Sequence, residues 1–450
     1  MVEEAVFCGL GFMFVCAALV LSHSLHVGRV TLLDWAVLGM GGIYGGGWAL
    51  VSSVTRAGGN PYWEGRLLPL EHLYPLHTLS ACVLLAAVIL GWMLMGSLPA
   101  LRHIRVESPS RRSDGRLVLA AWVLLTAAVA MQGLYAHAFG GFLGLLDYSA
   151  SIRSGTSMIE NPVSFLQPFG GLALFSSFLF FGLWVAGCRR WNTGAGFFFA
   201  FVFSLYVLFS WRGRIGFLAY LATFPLGLLL FLRARPLPLL AGGGLTLLLI
   251  LIGAHQVSSL LGFKAAGTLT TFLAGELSFP FVSFFAQLDS GEHLTRAFRD
   301  LLVAPVYLLP SSWWMNWVED VSQVNTALVM GAPKGEAGVT GSIPVDLITL
   351  GMMQSAALGI AGIGVFFGAG LRAAQHLVDL VRSPGVRALF GAYVAIRIAV
   401  LAIFYAHPAH VVSANFALLA AVAVSAVIVR APGIRLGAAP AFGRVIRSER

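Results

Sequence analysis

Long apolar segments recur along the whole chain and are separated by shorter polar connections. Most of them are roughly 17–25 residues long, the length that an α-helix needs to cross a bilayer. The pattern predicts an all-α polytopic membrane protein with about 11 transmembrane helices, in which residues 1–450 form a single transmembrane domain. The ninth segment is long and rich in glycine, so we expect it to tilt or bend. The predicted spans are 5–21, 33–51, 78–98, 117–140, 166–186, 194–210, 215–232, 237–257, 343–371, 386–405 and 411–429.

Arginines are distributed unevenly between the connections. Alternation across eleven spans puts eighteen of them on one face, together with only five acidic residues. By the positive-inside rule this face is cytoplasmic, so the N-terminus is expected outside and the C-terminus inside. The eighteen are Arg29, Arg102, Arg105, Arg111, Arg112, Arg116, Arg189, Arg190, Arg233, Arg235, Arg372, Arg382, Arg387, Arg430, Arg435, Arg444, Arg447 and Arg450.

The external connections include one that is unusually long. Residues 258–342 number 85 and contain both lysines of the chain, Lys264 and Lys334. Loops of this length in a compact protein are usually functional. Two apolar parts of it, Leu269–Leu288 and Ala297–Val318, are interrupted by Glu or Pro, and we interpret them as interfacial or re-entrant helices. If one of them crossed the membrane fully, the charge pattern after it would invert.

The amino-acid composition limits the classes of chemistry that the protein can carry out. Residues are 58% hydrophobic and 10% charged, whereas soluble proteins carry about 25% charged residues. The net charge of +9 follows from the arginine-rich face, so it does not indicate a nucleic-acid partner. The four cysteines lack metal-ligand spacing, and no Asp-x-Asp, helical Glu-x-x-His or phosphate-binding glycine loop is present. We therefore expect no metal and no cofactor.

Arg212 and Arg214 stand against the positive-inside pattern, in the turn Trp211–Arg214 between two apolar spans. The planar, permanently charged guanidinium fork of arginine binds phosphate oxygens. A turn at the outer interface would meet a lipid pyrophosphate at headgroup depth, so an anionic lipid-linked substrate is the leading hypothesis. The alternative is a snorkelling pair beside an interfacial tryptophan.

Two further arginines are candidates for the same anion. Arg397 lies within an otherwise apolar span, where a charge is expensive and usually faces a polar cavity or a partner. Its alternative role is an ion pair with an acid on another helix. Arg153 is the only basic residue of its external loop, and either binds substrate or pairs with Asp147 or Glu160.

Candidate proton acceptors lie in or beside the long loop. Glu276 and Asp346 rank first because each interrupts an apolar run at interfacial depth, where a desolvated carboxylate is a stronger base. His407, on the last external connection, is the reserve. The remaining candidates are Asp289, Glu292, His293, Glu319, Asp320, Glu336 and His410.

The order of four short motifs resembles the Wzy-type polymerases of bacterial O-antigen and related repeat-unit polysaccharides, including the enterobacterial common antigen polymerase. The resemblance covers about residues 145–360, and each motif alone is weak. The motifs are Leu145-Leu146-Asp147-Tyr148-Ser149 followed by Arg153; Ser210-Trp211-Arg212-Gly213-Arg214; Phe279-Pro280 with Arg299-Asp300 and Leu309-Pro310-Ser311-Ser312-Trp313; and Gly338-Val339-Thr340-Gly341-Ser342.

The resemblance implies a metal-independent membrane glycosyltransferase of the GT-C type in the bacterial inner membrane. Such an enzyme transfers the growing glycan onto an incoming unit carried on undecaprenyl pyrophosphate, at the periplasmic face. It implies pyrophosphate binding by Arg212, Arg214, Arg397 and Arg153, and a base supplied by Glu276, Asp346 or His407. The expected partners are the lipid-linked oligosaccharide and membrane lipid, with a chain-length regulator protein as a further candidate.

Two alternatives stay open at the level of sequence. A ligase that moves finished glycan to lipid A core would share the arginines and the large loop. A transporter or flippase for lipid-linked sugar would carry polar residues along several spans and an internal repeat. Arg397 is the only charge that we find deep in a predicted span, and no repeat is visible, so the polymerase ranks first.

Overall fold

The chain folds as an all-α membrane protein. The computed structural model describes residues 2–98, 111–154, 159–232, 235–260, 267–289, 295–309, 313–314, 317–339 and 341–430. No β-strand occurs within these ranges. Eleven stretches of them are long and apolar enough to cross a membrane, and each overlaps one predicted span. The prediction of a polytopic helical protein is therefore confirmed.

The helices follow the apolar segments closely. Two spans contain a π-helical turn, at Gly41–Gly46 between α2 and α3 and at Ala395–Val400 between α17 and α18. In chain order the helices are α1 (Val2–Val27), α2 (Leu32–Met40), α3 (Gly47–Arg56), α4 (Pro61–Leu67), α5 (Tyr74–Ser97), α6 (Arg111–His137), α7 (Gly141–Ser154), α8 (Leu172–Val185), α9 (Trp191–Ser210), α10 (Arg214–Phe231), α11 (Pro236–Leu260), α12 (Leu269–Leu277), α13 (Phe279–Asp289), α14 (Arg299–Leu302), α15 (Val321–Met330), α16 (Leu347–Asp379), α17 (Pro384–Val394), α18 (Leu401–Phe404) and α19 (Pro408–Arg430).

The ninth span, α16, is broken near its start. Ser355 and Ala356 leave helical geometry, with Ala356 at φ 48° and ψ −132°. A Cβ added to Gly351 would lie 2.5 Å from the Cα of Ile360, although nine residues of continuous helix would separate them by roughly 13 Å. The chain therefore reverses at the break, and the helix after it supplies the span. The expected bend is confirmed, but the helix ends at Asp379 and not at residue 371.

That longer helix changes the position of Arg372, which the sequence assigned to a connection. Arg372 lies inside α16, with its guanidinium 5.0 Å from the ring centre of Trp92 on α5. Glycines let the two helices approach closely here, since a Cβ on Gly368 would lie 2.0 Å from the carbonyl oxygen of Val88. The α5–α16 pair thus forms a tightly packed wall of the bundle.

The long loop holds the break in α16 in place. The backbone N–H groups of Arg296 and Ala297 donate to the carbonyls of Met353 and Gln354, each at 2.9 Å. These hydrogen bonds satisfy backbone groups that the interrupted helix leaves without partners. Around them, the buried Asp300 accepts from the Arg296 side chain at 2.8 and 2.9 Å and from Gln354 at 2.8 Å.

Helices α12 and α13 are bent by 41° at Ser278, as in a broken span or a re-entrant segment. The pair begins beside the end of α11, where the His255 and Phe272 rings lie 5.2 Å apart. The chain after it, from Arg296 to Glu319, contacts the last connection on the same side, which favours the predicted interfacial or re-entrant segment over a full span. The described residues of 297–318 contain α14, a 3-10 turn at Ala304–Leu308 and a 3-10 residue at Trp313.

Contacts between connections show that they share one membrane face, which we call the loop face. They join Asn60 to Ser278, Arg153 to Arg212, Arg214 to Glu276 and Asp320 to His407. Since the spans alternate, the opposite ends of the same helices lie on the other face. The candidate residues of the sequence therefore belong to one side of the bundle.

Some sequence-based predictions concern residues outside the described ranges, so the structure does not bear on them. They are Arg102, Arg105, Glu107, Arg233, Lys264, Glu292, His293, Pro310, Ser311, Ser312, Thr340, Arg435, Arg444, Arg447, Arg450 and the side chains of Arg111, Arg112 and Arg430.

We expect Asp300→Ala to destabilise the protein by about 3 kcal/mol, because it leaves the half-enclosed guanidinium of Arg296 and the amide of Gln354 without their acceptor. Glu319→Ala is the matched control, since it removes the exposed acidic partner of the same arginine and should cost less than about 1 kcal/mol. Thermal unfolding of both variants in detergent measures the difference. Equal losses would show that the buried pair does not hold the break.

Candidate functional site

The turn between α9 and α10 presents two arginines at the loop face. α9 ends at Ser210 and α10 begins at Arg214. Arg212 adopts φ 49°, a left-handed conformation that is uncommon outside glycine, and its N–H donates to the Phe209 carbonyl at 3.0 Å. Strained backbone of this kind persists only where its surroundings hold it, and it recurs at binding sites.

Helix α7 brings further groups to this turn. The Arg212 Nε donates to the Ser149 hydroxyl at 2.8 Å, and an Arg153 Nη donates to the Arg212 carbonyl. Arg153 therefore contacts the turn, rather than standing apart in its own loop. Lys334, from the long loop, donates its Nζ to the Arg153 carbonyl at 3.2 Å.

A carboxylate lies among these cations. Glu276, near the end of α12, accepts from Arg214 at 2.9 Å, and the Arg214 guanidinium also lies 5.6 Å from the ring centre of Phe272. The Glu276 side chain is 26% exposed. It is thus an ion-paired and partly hydrated carboxylate, not the desolvated one that the sequence argument assumed.

Tyr405 adds an aromatic group that the sequence did not single out. It lies in the short connection between α18 and α19, and its ring is 5.2 Å from that of His410. Burial raises the pKa of its hydroxyl well above the ordinary range, and the negative charge of Glu276 adds to the rise. Arg214 and Arg153 act electrostatically on the same hydroxyl in the opposite direction.

Arg397 reaches the cluster from within the membrane. It lies in the π-helical turn Ala395–Val400, just past the midpoint of the span Pro384–Phe404 and in the half that adjoins the loop face. Together with Tyr405, His410 and Asn415 it lines a small cavity. π-helical turns recur at functional sites because they re-aim side chains.

Asp346 has a different environment from Glu276. It precedes α16 as its N-cap, and it accepts from the Ile348 N–H at 3.0 Å and from the Tyr44 hydroxyl at 2.8 Å. Burial raises the pKa of its carboxyl to about 6, and the hydrogen bonds from Thr349 and Tyr44 oppose that rise. No arginine is among the groups that shift the pKa of Asp346. The side chain therefore serves as the N-cap of α16.

His407 follows Tyr405 by two residues but is directed toward another acid. Its Nδ1 lies 3.7 Å from Asp320, the N-cap residue of α15, and it accepts from the His410 N–H at 3.3 Å. Burial lowers the pKa of His407, and the Asp320 charge only partly offsets this. The imidazole is thus neutral at physiological pH.

Hydrogen bonds and an ion pair link Arg153, Arg212, Arg214, Lys334 and Glu276, while Arg397 and Tyr405 line one small cavity; we call these seven residues the cationic cluster. Its five basic residues outnumber its one carboxylate, so the arrangement favours an anion with several oxygen atoms. The pKa of Arg153 is lowered by partial burial and by the neighbouring charges of Arg214 and Arg212, which is the response of a cation held among like charges.

The described residues contain no group of three or more His, Cys, Asp or Glu side chains that would hold a metal ion. Comparison with known proteins identifies no relative: no family model, no curated protein and no solved structure matches the chain. The function therefore has to be argued from the cluster itself.

Proposed function

We propose that the protein is a metal-independent membrane glycosyltransferase that polymerises oligosaccharide repeat units carried on undecaprenyl pyrophosphate. The observation that supports this most is the cationic cluster: arginines from two separate connections and a lysine from the long loop converge at one membrane face, beside a carboxylate 2.9 Å from Arg214. Several fixed cations at headgroup depth suit a lipid diphosphate better than a singly charged ligand.

In this proposal the arginines bind and stabilise the pyrophosphate. Negative charge develops on it as the bond to the sugar breaks, and preorganised cations in a site of low polarity stabilise that charge without reorganisation. The hydrogen bond to the Ser149 hydroxyl orients the Arg212 side chain for pyrophosphate binding. Arg214 is held in place as the first residue of α10. Tyr405, which lines the same small cavity as Arg397, can donate a hydrogen bond to a phosphate oxygen.

Glu276 is the base that the geometry favours. It is adjacent to Arg214, and therefore to the anomeric carbon of a sugar whose pyrophosphate that arginine binds. In the absence of substrate the ion pair with Arg214 holds the carboxylate. An arriving pyrophosphate competes for Arg214, and Glu276 then becomes available to accept a proton.

The reaction balances without a cofactor. The acceptor hydroxyl oxygen forms a bond to the anomeric carbon of the growing glycan, and its proton passes to Glu276. The bond from that carbon to the pyrophosphate oxygen breaks, and undecaprenyl pyrophosphate leaves with the electron pair. The activated lipid pyrophosphate drives the transfer, so no nucleotide is required.

The proposed location is the bacterial inner membrane, with the loop face in the periplasm. Arginines Arg29, Arg189 and Arg190 lie in described connections on the opposite face, which the positive-inside rule assigns to the cytoplasm. The N-terminus is then periplasmic and the C-terminus cytoplasmic. Lipid-linked repeat units reach the cluster from the outer leaflet.

Cysteine labelling tests this orientation. In a cysteine-free background and intact cells, Lys334→Cys should react with a membrane-impermeant thiol reagent, because Lys334 lies on the loop face. Arg189→Cys, an exposed position on the other face, should react only after the membrane is permeabilised. The reverse pattern of labelling would show that the cationic cluster faces the cytoplasm.

Arg212→Ala and Arg214→Ala should each lower polymerisation by about 100-fold or more, because each removes a cation that stabilises the leaving pyrophosphate. The measurement is the ladder of products formed by purified protein from a lipid-pyrophosphate repeat unit. Arg66→Ala is the matched control, since Arg66 is exposed on the same face and contacts only the Trp63 ring in the described structure. Full activity of both cluster variants would contradict the proposal.

Glu276→Gln should lower the polymerisation rate by about 100- to 10,000-fold, the usual contribution of a general base. Binding of pyrophosphate should be retained or become tighter, because the substitution removes a competing charge from Arg214. Asp289→Asn, an exposed carboxylate on the neighbouring helix α13, is the control and should change neither quantity. A variant that loses pyrophosphate binding and rate in parallel would assign Glu276 a structural role.

A further inference from the structure

A large apolar groove lies on the membrane-facing side of the bundle, between α6 and α9. Its volume is about 660 Å³. Val129 and Ala130 line it from α6, and Phe198, Val202 and Phe203 line it from α9. Phe198 and Val202 are 61% and 48% exposed, so the groove opens toward lipid. The mechanism described above does not use it.

Helix α9 links the groove to the cationic cluster. Tyr206 lines the groove, and its hydroxyl donates to the Phe142 carbonyl in the first turn of α7 at 2.8 Å. Helix α7 carries Ser149 and Arg153, and α9 leads directly into the turn with Arg212. One wall of the groove thus leads along α9 to the arginine turn.

The groove lies at the depth of the hydrocarbon core. Phe198 and Tyr206 are eight residues apart on α9, which corresponds to roughly 12 Å along the helix axis. A further six residues lead to Arg212, or roughly 9 Å more. Since half of the hydrocarbon core is about 15 Å thick, the groove begins below Arg212 in the half of the bilayer next to the loop face and extends past the midplane.

We propose that this groove binds the polyprenyl chain of a lipid-linked substrate while the cationic cluster binds its pyrophosphate. The inference rests on the proposed function and adds to it the recognition of the lipid tail. Its basis is the pairing of chemistries: an apolar groove that suits a hydrocarbon chain leads along α9 toward the arginine turn, which suits the diphosphate. A ligand with both parts, joined at headgroup depth, matches the two ends together.

Binding in nanodiscs tests the proposal with two probes, polyprenyl pyrophosphate and inorganic pyrophosphate. Val202→Trp fills the groove and should weaken polyprenyl pyrophosphate about tenfold or more, the loss expected if about two methylene groups are no longer buried. It should leave inorganic pyrophosphate unchanged. Val15→Trp makes the same change at a lipid-exposed valine of α1, away from the groove, and should affect neither probe.

The outcomes separate this inference from the proposed function. Unchanged polyprenyl pyrophosphate binding in Val202→Trp would overturn the groove as the tail site, while leaving pyrophosphate binding intact. If the unsubstituted protein binds neither probe, the proposed function fails and the inference with it.

Photocrosslinking of the unsubstituted protein provides a test that does not depend on the folding of a variant. A polyprenyl pyrophosphate with a photoreactive group on its chain should label peptides of α6 and α9. A photoreactive diacyl phospholipid should label them weakly. Equal labelling by the phospholipid would show that ordinary membrane lipid occupies the groove, and labelling spread over other spans would place the tail elsewhere. Either result overturns the proposal.

Discussion

The ion pair between Arg214 and Glu276 is the interaction on which the architecture of the loop face depends. Like charges crowd together where α7, α9, α10 and the long loop meet, and their repulsion has to be offset. Glu276 supplies the opposite charge at 2.9 Å, while the Ser149 hydroxyl accepts from Arg212 and backbone carbonyls accept from Arg153 and Lys334. The pair gives α12 its role at the loop face, because α12 carries the carboxylate to the arginine turn.

A second constraint follows from the membrane environment. Non-helical backbone at bilayer depth is tolerated only where its polar groups find partners inside the protein. At the reversal in α16, the N–H groups of Arg296 and Ala297 supply those partners, and Asp300 binds both Arg296 and Gln354. The same arrangement anchors the long loop to the bundle. The long loop, which carries Glu276 and Lys334, is thus attached to the bundle at the break in α16, where it supplies hydrogen-bond partners for the interrupted backbone.

The sequence predicts the bundle well because spans are set by local apolar length, and every one of the eleven overlaps an observed helix. It also singled out Arg212 and Arg214, since their charge opposes the bias of the other connections. The sequence could not distinguish the roles of Glu276 and Asp346. An acidic residue that interrupts an apolar run gives the same pattern whether it acts as a general base or as a helix N-cap. In the structure Tyr44, 302 residues away in the chain, donates to Asp346, a contact that the sequence does not reveal. Tyr405 had no local signal, since only the fold brings it beside Glu276.

The contrast between these two carboxylates bears on catalysis. Asp346 is buried and engaged by the first turn of α16 and by Tyr44, so using it as a base would disrupt the N-terminal cap of α16. Glu276 is engaged by a partner that the proposed substrate also binds, so its release coincides with the arrival of the pyrophosphate. A base that is freed only by its own substrate accepts a proton when the leaving group is already stabilised. In the proposed reaction, pyrophosphate binding by the arginine turn and proton transfer to Glu276 therefore occur together. Helix α12 links the two because it holds the carboxylate beside Arg214.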